Sequence, residues 1–107
     1  MFKVVTRPKF RHSVPIMVPI DGGHAEQTMA VTYQVARDQD ETQLNTSEGM
    51  IEFLKDVVIS VSDIVNEEDE PVPYNDALRD QLLSLPYVRV GWLRGYLAAV
   101  TKGRLGN

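Results

Sequence analysis

The sequence contains no cysteine. That absence excludes a disulfide framework, a zinc–thiolate site and a cysteine nucleophile. Its apolar runs are only a few residues long, far short of the ~20 needed to cross a bilayer. The first residues, Met1-Phe2-Lys3-Val4-Val5-Thr6-Arg7-Pro8, lack a signal-type apolar stretch, so an intracellular protein without membrane attachment is expected. Only two histidines and one tryptophan occur in 107 residues. What is plentiful is ordinary for a folded protein: 43% apolar and 24% charged residues, enough for one core and too short for two. A single domain over 1–107 is expected, with a β-rich part over about 1–36, a linker over 37–44 and a helical part over about 45–103.

The net charge of −4 hides a strong pattern. Residues 1–37 carry five bases against two acids, residues 38–85 two bases against thirteen acids, and residues 86–107 four bases and no acid. Basic ends would attract nucleic acid, but the acidic middle would repel the same phosphates. Mutual neutralisation, within the fold or between copies of a homo-oligomer, is the simpler expectation, with no nucleic-acid partner.

Strands are expected first. Val14, Ile16, Val18 and Ile20 alternate with Ser13, Pro15, Met17 and Pro19, the period of a half-buried strand. Its two prolines lack ladder donors, so it belongs at a sheet edge. Asp21-Gly22-Gly23 makes a turn, after which Met29, Val31, Tyr33 and Val35 alternate with Thr28, Ala30, Thr32 and Gln34. A hairpin follows, and residues 2–6 are a candidate further strand. Asn45 with Glu48 resembles a capping box ahead of Met50, Phe53, Leu54, Val57 and Val58 at helical spacing. The β-branched run from Val57 favours a strand over about 58–65. Asn75 should cap a second helix with Leu78, Leu82 and Leu85 inward. Pro86 opens a third, with Val90, Leu93, Leu97 and Val100 as the core stripe and Gly103 as its stop. The expected fold class is α+β: a small antiparallel sheet, made of the N-terminal hairpin and a returning strand, packed with about three helices.

Catalytic constellations are weak. His12, Asp21, His24 and Glu26 match no strong metal signature, and a polar glycine-rich hairpin tip accounts for the same residues. Gly22-Gly23 lacks the lysine and following helix of a phosphate loop. The run Glu67-Glu68-Asp69-Glu70 lacks the alternating ligands and turning glycine of a calcium loop. None of Ser13, Ser47, Ser60, Ser62 and Ser84 sits in a nucleophile elbow. No catalytic, metal or cofactor site is assigned, and an enzyme is not expected. Arg89, Trp92, Arg94 and Tyr96 stand out instead. Their three- and four-residue spacings put Arg89, Trp92 and Tyr96 on one side of the last helix, beside its core stripe. These types are favoured at binding hot spots, so the four residues are candidate partner contacts. The alternative is that this helix is buried on both flanks.

The stretch from Val61 to Val88 is similar to small tail assembly chaperones of tailed bacteriophages and prophages. In that family an apolar strand leads into an acidic turn closed by Pro-Val-Pro-aromatic, here Glu67-Glu68-Asp69-Glu70-Pro71-Val72-Pro73-Tyr74. A capped Leu-x-x-Leu-Leu helix and a last helix with small and aromatic residues follow. The opening is similar too, with its Phe2-Lys3-Val4 start and a Val-Pro-Ile stretch running into Asp21-Gly22-Gly23. Relatives often have tryptophan in the strand where this chain has Val61-Ser62-Asp63, and glycine where Glu70 stands. The resemblance implies a non-enzymatic protein of the host cytoplasm. Such a protein coats the long helical tape measure protein, helps deliver the tail tube protein, and is absent from the finished virion. It also implies that a longer frameshifted form can arise, here near Thr101-Lys102-Gly103-Arg104. A structural tail or head–tail connector subunit is the competing expectation.

Overall fold

The computed structural model describes residues 1–37 and 44–101. Strands β1 (Lys9–Ile20) and β2 (Gly23–Gln34) form a hairpin, and helix α1 (Ser47–Val57) runs directly into strand β3 (Val58–Ser62). Helices α2 (Asp76–Leu83) and α3 (Pro86–Thr101) complete the elements among the described residues. The sheet is antiparallel, in the order β1-β2-β3. This is the small α+β fold that the sequence predicts.

β1 and β2 pair without interruption from Lys9↔Gln34 to Ile20↔Gly23 across the two-residue loop Asp21-Gly22. Gly22 takes φ +80°, a conformation that glycine reaches without steric penalty. In a hairpin closed by two residues the flanking pair exchanges hydrogen bonds, and bonded pairs alternate from there. Even-numbered residues of β1 therefore bond to β2, while Ser13, Pro15, Met17 and Pro19 turn their backbones outward. The prolines cost the hairpin no hydrogen bond, and β1 is an edge strand as its prolines demand. Seen from outside, that edge offers carbonyls but no donor at positions 15 and 19, which blunts it against strand addition.

The alternation predicted for the hairpin holds at its centre. Val14, Ile16, Val31 and Tyr33 are buried, whereas Ile20 at the tip is 55% exposed because no helix reaches it. The predicted strand over residues 2–6 is absent, and Phe2 and Val4 lie exposed. β2 is already paired on both sides, and residues 2–6 pair with neither outer edge of the sheet, that of β1 or that of β3. Arg7 marks where the chain becomes anchored: its guanidinium lies 2.8 Å from the Asp56 carboxylate and donates to Val35 O at 3.0 Å.

α1 is capped one residue later than predicted. Thr46, not Asn45, is the N-cap, its Oγ1 accepting from the Gly49 N–H at 2.9 Å. Leu44 and Asn45 form a short 3₁₀ turn ahead of it. At its end Val58 still donates its N–H to Leu54 O, but its backbone is extended, as a β-branched run favours. β3 stops at Ser62 rather than near 65 because Asp63 takes φ 61° and turns the chain out of the sheet. Only an isolated bridge, Val65↔Pro71, continues beyond it. The acidic turn between is organised by Asn66, whose side-chain carbonyl accepts from Glu68 N and Glu70 N. Asn75 caps α2 as predicted, accepting from Leu78 N at 2.8 Å. The fully buried leucine of that helix is Leu83, with Leu78 and Leu82 half-buried. Residues 38–43 of the predicted linker 37–44, and the stop at Gly103, lie outside the described residues.

The core lies between one face of the sheet and the helices. Phe53, Leu54 and Val57 come from α1, Leu83 from α2, and Val88, Trp92 and Tyr96 from α3. α3 lies directly on β1 because Gly91 and Gly95 present bare backbone to it. A Cβ at Gly95 would stand 2.8 Å from both the Tyr33 hydroxyl and Val14 Cγ2. At Gly91 it would stand 2.5 Å from Ile16 Cδ1 and 3.3 Å from Pro15 O.

These contacts predict different outcomes for two similar substitutions. Gly95→Ala meets two packed groups and should lower stability by about 1–3 kcal/mol despite alanine's better helix propensity. Gly91→Ala meets the movable end of an isoleucine and should cost less. Urea midpoints of the two variants measure the difference, and an equal or reversed order would contradict the packing described.

Candidate partner-binding groove on helix α3

Gly91 sits over Pro15 and Ile16, and Gly95 over Val14 and Tyr33, so α3 runs back along β1. Its inner side carries Val88, Trp92 and Tyr96, all buried. Trp92 has no exposed surface, and its indole N–H donates to Met29 Sδ at 3.1 Å. Its backbone carbonyl accepts from the Tyr33 hydroxyl at 2.7 Å. Tyr96, 4% exposed, accepts from Ala36 N at 2.9 Å and packs edge-on against Phe53 and Tyr33. Burial pushes the Tyr33 phenol well above its ordinary pKa.

The four predicted contact residues therefore separate. Trp92 and Tyr96 are core residues and present no surface to a partner, which corrects their candidacy. Arg89 is half-buried and donates through Nη1 to Leu83 O at 2.7 Å, closing the end of α2. Arg94 alone is exposed. The predicted core stripe is also inverted. Val90 and Leu97 are each 41% exposed and Val100 39%, with Leu93 half-buried. The physical reason is that α3 has apolar residues all round and no acid, so periodicity alone does not select its inner face. The glycines do select it. Two glycines one turn apart inside a helix mark the side that meets another backbone, and that signal was readable beforehand.

Between α3 and the outer side of β1 lies a groove of about 1010 Å³. Pro15 and Met17 line one wall and Tyr87, Val90, Arg94 and Ala98 the other. His24 and Glu26 stand at its hairpin end, His12 and Arg94 towards the other. His12 pairs opposite Val31 and His24 opposite Pro19, seven positions apart along the hairpin, roughly 24 Å of strand. Among the described residues no group of three or more His, Asp or Glu side chains is placed to hold a metal ion. No described helix is long and apolar enough to cross a membrane. What the groove and the outward side of α3 offer is mainly apolar contact, with Arg94 on the helix wall and Glu26 at the hairpin end, a surface suited to another polypeptide. Neither a protein-family profile, nor a curated protein, nor a solved structure matches this chain.

Trp92→Ala should therefore behave as a core deletion, lowering stability by about 3–5 kcal/mol, measured by chemical denaturation. Val90→Asp should leave the unfolding midpoint nearly unchanged. Alkaline stability should depend on Tyr33. The unfolded chain releases that phenolic proton near pH 10, the folded chain only at higher pH, so stability is level below about pH 10 and falls above it. Urea midpoints at about pH 8 and pH 11 should fall less for Tyr33→Phe than for the natural chain.

Proposed function

We propose that this protein is a tail assembly chaperone of a tailed bacteriophage or prophage, working without catalysis. Its client is the tape measure protein, a long helix whose apolar stripes aggregate when uncovered, and it then helps deliver the tail tube protein, all in the host cytoplasm. The observation that carries the reading is the exposed apolar side of α3, Val90, Leu97 and Val100, beside the groove against β1. A protein that covers an extended helix needs such a face, and one small enough to be displaced later. The motif resemblance across the acidic turn and the hairpin supports the same class. The outward prolines of β1 favour a helical client over a strand, since an added strand would meet missing donors at Pro15 and Pro19. The contact surface in this reading is Val90, Arg94, Leu97 and the groove wall, with Trp92 and Tyr96 beneath it as support.

Co-expression with the long helix-rich protein encoded beside it tests the proposal. The long protein should become soluble and co-elute with this chain. Val90→Asp, a charge placed in the contact face, should reduce that rescue by at least about tenfold while leaving the fold intact. An insoluble client beside a chain that forms rings alone and remains in finished tails would instead establish a structural subunit.

A further inference from the structure

Val90, Leu93, Leu97 and Val100 follow one another at intervals of three, four and three, the spacing of an a/d seam in a coiled coil. The seam spans roughly 15 Å of helix, and its side chains are exposed or half-buried. In that register Arg89 and Arg94 occupy the two flanking rows, and residues 86–101 contain no acid. Arg94 has neither an ion pair nor a side-chain hydrogen bond among the described residues. Arg89 keeps its charge at the rim while one nitrogen holds Leu83 O.

A second copy of this chain does not fit the seam. Parallel packing brings the flanking position of one helix beside the opposite flank five residues on in its partner, which sets Arg89 against Arg94. Antiparallel packing sets each arginine row against itself. Either arrangement desolvates like charges beside an apolar contact, a repulsion that selects against the homodimer. A helix bearing carboxylates beside its own apolar stripe meets both arginines favourably.

We infer that α3's outward face binds an amphipathic helix with acidic residues flanking its apolar stripe, and that the arginines exclude self-pairing of α3. The inference rests on the chaperone reading for the client's place in assembly, and on the seam and its charges for the client's chemistry.

Two synthetic helices of about three heptads test it, sharing one apolar stripe and carrying glutamate in one and lysine in the other at the flanking positions. Each is labelled, held at trace concentration and titrated with the full chain, with anisotropy as the readout. The acidic helix should bind at least about tenfold tighter, with the preference shrinking as salt rises. Arg94→Glu should invert the preference and Arg94→Gln should reduce it, both with unchanged circular dichroism. Sedimentation of the chain alone should show no dimer that Val90→Asp dissolves. Equal affinity, no binding of either helix, or such a dimer would overturn the inference. Failure here with the tape measure protein still rescued ends this inference and leaves the chaperone reading. Acidic preference without rescue does the reverse.

Discussion

The closeness of α3 to the β1–β2 hairpin is the constraint on which the rest of the structure depends. Gly95 has no side chain, so the Tyr33 hydroxyl can reach the helix and donate to Trp92 O at 2.7 Å. A buried hydroxyl without a partner is costly, and this bond satisfies one in the centre of the core. It also fixes the rotation of the helix. With Trp92 turned inward over Met29 and Tyr96 inward beside Phe53, the residues half a turn away have to face solvent. The exposed apolar face is thus a consequence of how the inner face is locked.

The same logic explains what was legible in the sequence. The hairpin was readable because strand alternation and Asp-Gly-Gly are local signals, and Pro15 and Pro19 excluded a central position directly. Asn75 was readable as a cap for the same reason. The end of β3 was not, because Asp63 adopts a positive φ that its residue type permits without requiring. Whether residues 2–6 pair with a sheet edge is a property of the tertiary arrangement rather than of those residues. α3 was the instructive failure. Its period, its opening proline and its arginines were all visible, but a helix apolar on every side is oriented by its partner. The groove could not be read from spacing either, since its walls are separated by some seventy residues and come close at the two glycines.

Charge is arranged to match. Arg7 and Asp56 join the basic beginning of the chain to the acidic middle, and Arg11 approaches Asp63 at 3.9 Å across the sheet. Neutralisation within the fold thus uses part of the segregated charge. Arg94 stays outside these pairs among the described residues and faces the groove, where it is available to an incoming group.

The packing of α3 on β1 also has a consequence for the order of events during synthesis. The hairpin is complete as a chain segment once Gln34 has emerged, yet Val14 and Ile16 on β1 gain their helix cover when residues 86–101 follow. Until then the β1 side of the apolar sheet face has no lid, since α1 packs towards β2 and β3, and contacts between first strand and last helix are among the slowest to find. A nascent chain stalled before Pro86 would present that face to its neighbours, so rapid completion of the polypeptide matters more here than early folding of its first half.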